Sequence, residues 1–169
     1  MKKFNLLFAI SIFILIFAAS CGVYSFTGAS IPPNAKTIDI AYFPNYAALV
    51  QASLSQKLTE KLKDKFANQT SLNLVNRNGD LHLEGAIIDY QTAPNAILAN
   101  ETAATNRLTI TIKVKFVNNI EPKQNFETTF SRYADYASNK NLTTVEGTLI
   151  DEIVEMLVDD IFNKSVVNW

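Results

Sequence analysis

From Thr37 onward the chain switches repeatedly between two hydrophobic periods. Thr37 to Phe43 alternates, is rich in β-branched and aromatic residues, and is closed by Pro44 and Asn45, which predicts a first strand. The period then lengthens. Leu54, Leu58, Leu62 and Phe66 recur at helical spacing behind Ser53 and Gln56, a pair spaced as a capping box, so a helix is expected over 53–68 with Lys57, Glu60, Lys61, Lys63, Asp64 and Lys65 on its wet side. Leu72, Leu74 and Val75 form a short second strand. Asn76 to Asp80 follows as a turn whose Asn-Gly pair tolerates positive φ. Leu81, Leu83, Gly85 and Ile87 then alternate against His82, Glu84, Ala86 and Ile88, and the phase blurs at Ile87 and Ile88, where a bulge is expected.

Ala93 to Asn106 has no clear period and reads as a long loop, a kind of segment that is often functional. Arg107 to Val117 is the clearest strand, with Leu108, Ile110, Ile112, Val114 and Phe116 on one face and Arg107, Thr109, Thr111, Lys113 and Lys115 on the other. Residues 118–124 turn the chain into a last strand over 125–136. If Phe116 stands opposite Phe126 there, Lys115 faces Glu127. A second capping-box spacing, Thr143 to Glu146, opens a helix expected over 144–163. Its broad stripe of Leu149, Ile150, Ile153, Val154, Leu157, Val158 and Ile161 suits packing on a sheet.

The order is strand, helix, four strands, helix. A helix between the first two strands suits a crossover joining parallel neighbours, and the later strands suit antiparallel hairpins. The fold class expected is α+β: a two-layer sandwich of a mixed four- to five-stranded sheet with two helices on one face. The helices carry opposite charge balances, basic on the first and acidic on the second, which favours their adjacency.

The beginning of the chain has a different character. Lys2 and Lys3 precede an apolar run from Leu6 to Phe17 broken only by Ser11, and Ala19 and Ser20 lead to Cys21, the only cysteine. The run is shorter than the ~20 residues a membrane-spanning helix needs, so it reads as a secretory signal. Its end resembles the lipobox of bacterial lipoproteins, which makes Cys21 the expected lipid attachment and mature N-terminus. Residues 1–20 are then the signal peptide, 21–36 a lipid-anchored tether, and 37–169 a single domain.

Charge narrows the function further. Losing the signal removes two of the 15 basic side chains and none of the 16 acidic ones, and a mildly acidic domain does not suit non-specific nucleic-acid binding. Asp80, His82 and Glu84 share a strand face, but one histidine is a poor start for a catalytic zinc, so these read as a solvated face and no metal or cofactor is expected. No nucleophile elbow, phosphate loop or zinc-helix motif occurs, so no enzyme activity is expected. Arg107, Lys113, Lys115 and Arg132, with Thr109 and Thr111 beside them, are the candidate surface for a glycolipid or protein partner.

The assembled pattern resembles the LptE family of lipopolysaccharide-assembly lipoproteins, in the form found in Bacteroidetes-like bacteria. The residues that carry it are Cys21 to Gly28, Ser30 to Pro33, Asn106 to Asn118, Phe126 to Tyr133, Asp160 to Asn163 and the Asn168-Trp169 end. The resemblance implies a non-enzymatic lipoprotein on the periplasmic side of the outer membrane. It would sit inside an LptD-like β-barrel, assist barrel assembly, and take part in lipopolysaccharide insertion. Lipopolysaccharide itself is a further possible ligand. The alternative from the residues is an envelope lipid carrier holding an acyl chain between sheet and helices, which needs an apolar cavity where a barrel plug needs a filled core.

Overall fold

The computed structural model describes residues 31–49, 51–95 and 104–167. The signal segment, Cys21, the tether up to Ser30 and Trp169 lie outside the described residues. Five strands form one mixed sheet in the order β2-β1-β3-β4-β5, and two helices cover one of its faces, as the α+β reading expected. The strands are β1 (Thr37–Ile40), β2 (Asn73–Leu74), β3 (Leu81–Pro94), β4 (Thr105–Asn118) and β5 (Phe126–Ala137). The helices are α1 (Leu54–Gln69) and α2 (Leu142–Val166), and a short 3-10 turn at Pro122–Gln124 joins β4 to β5.

β1 pairs parallel with β2 and with β3, while β3, β4 and β5 form antiparallel hairpins. The register built on the two phenylalanines holds: Phe116 stands opposite Phe126 and Lys115 opposite Glu127, although the Lys115 ammonium pairs with Glu84 and Glu127 with Lys113. The β3–β4 register shifts between Ile87 and Asp89, leaving Ile88 as the bulge. The two phenylalanine rings stack 5.4 Å apart.

All the apolar stripes named from the sequence meet in one core. Leu54, Leu58, Leu62 and Phe66 of α1, the α2 stripe from Leu149 to Ile161, and Leu108 to Phe116 of β4 are all buried. Above this core Lys57, Lys61 and Lys65 pair with Asp151, Glu155 and Asp159 at 2.6, 3.2 and 2.7 Å. Both sets advance in steps of four, so α1 and α2 run side by side in the same direction. The opposite charge balances of the two helices meet along this seam.

Four local expectations need correction. The Ser53 capping box does not form, because Ser53 is in the helical region and donates from both N and Oγ to Gln51 Oε1 at 2.7 and 2.8 Å. Gln56 instead reaches Glu60. The last helix is capped by Asn141, whose Oδ1 accepts from Thr143 N at 3.0 Å, so it starts earlier than Thr143 and Glu146 would have it. Glu146 is drawn off by the hydroxyl of the buried Tyr90, which donates to it at 2.5 Å. Burial of Phe162 and Val166 carries the same helix past 163.

The third correction concerns only the ends of the loop expected over 93–106, whose residues 96–103 lie outside the described residues. β3 continues to Pro94 and β4 begins at Thr105, with Ala93 opposite Arg107 and Asn95 N donating to Thr105 O. Residues 91–94 are exposed on both faces, so the ladder there runs on backbone bonds and leaves no hydrophobic alternation to read. The fourth concerns Asn76 to Asp80, which does not fold β2 back as a hairpin. β1 lies between β2 and β3, and this segment carries the chain across it. Asn78 takes the left-handed conformation at φ 56°. Gly79 passes so close to β1 that a Cβ would lie 2.7 Å from Asp39 N, so only glycine fits.

Candidate functional site

Among the described residues, one face of the sheet is sealed by helices and the other is not. The alternation of β4 that buries Leu108 to Phe116 sends Arg107, Thr109, Thr111, Lys113 and Lys115 to the uncovered face. Arg132 goes the other way. On β5 it shares its side with Phe126 and Phe130 and reaches α2, where its Nε and Nη2 donate to Asp160 at 2.6 and 2.7 Å. The structure therefore brings together five of the six candidate residues and separates the sixth.

The three β4 cations on this face, Arg107, Lys113 and Lys115, are already neutralised. Arg107 donates through Nε and Nη2 to Asp135 at 2.7 and 2.9 Å, and its guanidinium lies 3.6 Å from the centre of the Tyr133 ring. Lys113 pairs with Glu127 at 2.5 Å and Lys115 with Glu84 at 2.7 Å. Hydrogen bonds from these partners hold the Asp135, Glu127 and Glu84 carboxyls below their ordinary range. Thr111 and Ser131 share a hydrogen bond of 2.9 Å across β4 and β5. What read as a small basic patch is a neutral lattice of paired charges and hydroxyls. Glu84, Tyr133 and Asp135, which complete it, had only the strand alternation to point to them.

Beside the lattice lies an open depression of about 410 Å³ between Tyr42, Tyr46, Ala86, Lys113 and Lys115. Tyr42 and Tyr46 are 60% and 73% exposed, so their rings form a rim. Beneath the sheet Phe43 occupies the place of a side chain at Gly85, where a Cβ would meet its ring at 2.5 Å. Thr59 of α1 accepts from Phe43 N at 3.1 Å and donates to Ser55 O, tying this stretch to the helix layer.

Asp80, His82 and Glu84 do not form a ligand cluster. Asp80 Oδ2 accepts from Lys36 N, Thr37 N and Thr37 Oγ1 at 2.8 to 3.0 Å, which holds its carboxyl below the ordinary value. His82 Nδ1 lies 2.5 Å from the buried Asp39 carboxylate, which also accepts from Gly79 N at 2.8 Å. These side chains clamp the crossing segment onto β1. Sequence reading placed them on a solvated strand face, and it had no way to see the chain that crosses there. No group of three or more metal-ligating side chains occurs among the described residues.

Solved structures share this fold at very low identity. The protein CT253 of Chlamydia trachomatis superposes with a TM-score of 0.51 at 9% identity, over 79% of this chain and 99% of that one. XCC0632 of Xanthomonas campestris gives 0.50 at 7% identity, over 79% and 87%. No curated protein sequence matches the chain. The sequence profile of the family described as LptE, lipopolysaccharide-assembly, matches residues 35–165, which take in all five strands and all but the last residue of α2. The chain belongs to the LptE lipopolysaccharide-assembly family.

Proposed function

We infer that this chain is a lipoprotein, anchored to the outer membrane through Cys21, that fills an LptD-like β-barrel and helps assemble it for lipopolysaccharide transport and insertion. Family membership supports the process, and the asymmetry of the sheet supports the mode of action. A plug needs a filled core and a surface that a polar barrel lumen can accept. The helix side supplies the core. The uncovered side supplies hydroxyls and charges that are neutral in pairs, and these bond a polar wall without leaving a charge stranded at the contact.

The lipid-carrier reading needs space between sheet and helices. That space is filled by Leu54, Leu58, Leu62, Phe66, Leu157 and Ile161. Direct binding of an anionic glycolipid on the uncovered face would compete with the carboxylates that already hold Arg107, Lys113 and Lys115.

The test is extraction of the tagged full-length protein from native membranes in mild detergent, with identification of what accompanies it. A large β-barrel is expected with the unmodified chain. Polar interfaces spread their energy over many contacts, so Thr109, Thr111 and Lys113 should be changed together to glutamate, with recovery falling about tenfold or more. Absence of any barrel with the unmodified chain overturns the reading. Unchanged recovery with a folded triple variant removes this face from it.

A further inference from the structure

The two edges of the sheet are finished differently. β2 closes one edge with only two residues, too short to template another strand. β5 forms the other with 12 residues, paired to β4 without a register shift from Phe126 to Ala137. Its outward backbone groups follow from one bond, Ser138 N to Ala104 O at 3.0 Å. Residues in an antiparallel strand point their N–H and C=O alternately to one neighbour and the other, so the even-numbered residues of β5 bond β4. Glu127, Thr129, Ser131, Tyr133 and Asp135 therefore turn theirs outward. Among the described residues no backbone group meets them.

Exposed edges are usually blunted by lysine, proline, a bulge or an outward charge. β5 contains no lysine, no proline and no bulge. Its three charges are all tied inward, Glu127 to Lys113, Arg132 to Asp160 and Asp135 to Arg107. The edge is long, regular and electrically quiet.

A second copy does not fit it. Two-fold pairing that overlaps the whole strand must centre on Ser131 or Arg132. The first sets Glu127 against Asp135 twice, and the second sets Arg132 against itself, and like charges directly opposite are unfavourable. A different polypeptide can avoid both.

We propose that β5 receives an added β-strand from a partner polypeptide. The strand that fits is amphipathic. Its apolar side chains lie against the half-buried Phe126 and Phe130, and its uncharged hydroxyl side chains lie beside the already paired Glu127 and Asp135. The inference rests on the barrel reading only for the identity of the donor, which that reading makes a segment of the barrel chain.

Proline separates this from a side-chain contact. Thr129→Pro removes an outward N–H and leaves the β4–β5 ladder intact, whereas Thr128→Pro removes a ladder bond and should melt at lower temperature. Thr129→Ala keeps the N–H. In extractions of the full-length protein from native membranes, Thr129→Pro should lower recovery of the donor about tenfold, the worth of one or two hydrogen bonds, and Thr129→Ala should not. Single-amide hydrogen exchange on the unmodified complex gives a readout that does not depend on any variant folding. The Thr129, Ser131 and Tyr133 amides should be protected there and should exchange quickly in the isolated protein.

Equal recovery with Thr129→Pro, or fast exchange of these amides in the complex, overturns the proposal. A barrel retained equally by both variants overturns it while leaving the barrel reading in place. A donor that is not a barrel but is lost with Thr129→Pro supports the added strand and overturns the barrel reading. Failure of the unmodified protein to bring down any polypeptide overturns both.

Discussion

The two faces of the sheet use the same kind of interaction for different ends. On the helix side, the lysine to acid seam between α1 and α2 lies on top of a core whose leucines, isoleucines and phenylalanines are excluded from water. Burial does the stabilising there, since exposed ion pairs contribute little net free energy. The seam mainly aligns the helices. On the uncovered side no described residue lies above the pairs, so Arg107 with Asp135, Lys113 with Glu127 and Lys115 with Glu84 are themselves the surface. An ion pair's role in this protein is set by what lies under and over it.

The largest effect should come from breaking the covered side below its ion pairs. Leu58→Ala or Ile112→Ala, both fully buried, should cost roughly 2–5 kcal/mol in denaturant unfolding. Gly79→Ala should come next, at roughly 1–3 kcal/mol, because its Cβ would press on the β1 backbone rather than on a side chain that can move.

Acid should then distinguish the two faces. Asp80, Glu84, Glu127 and Asp135 have carboxyls lowered from ordinary values of 3.8 or 4.5, so each contributes stability that is fully present above the unfolded value. That contribution is lost as pH falls from about 4.5 through the lowered folded values. Melting temperature should decline over that range, and Glu84→Gln with Asp135→Asn should flatten the decline. The smallest effect belongs to the seam, where Lys61→Ala should shift stability by no more than about 0.5 kcal/mol and less at high salt. A Lys61→Ala melt that moves as far as that of Leu58→Ala would reverse the assignment of the α1 faces.

Much of this architecture was legible because burial writes itself into periodicity. Both helices, the three long strands with one wet face, the Ile87–Ile88 bulge and the pairing of Phe116 with Phe126 all follow from where apolar residues recur. The misreadings fall where burial is not the driving force. Capping boxes are local patterns, and Gln51, Asn141 and Tyr90 outcompeted them through contacts that spacing does not encode. The ends of the β3–β4 hairpin carry no apolar signal because they are wet on both sides.

Which residues leave water can be read from the order of side chains alone, and with them the two helical stripes, the strand order along the chain and the face to which Arg107 to Lys115 belong. A residue's transfer out of water depends on its own side chain and its local period, so that information is written in the chain. Three-dimensional assembly was needed to show that Asn76 to Asp80 crosses β1, that Arg132 answers to Asp160, that Arg107, Lys113 and Lys115 each have a carboxylate partner, and that β5 stands at an edge open among the described residues. Those outcomes depend on which distant groups arrive at the same place, and hydrogen-bond and ion-pair partners are chosen by that arrival and not by the residues that flank them.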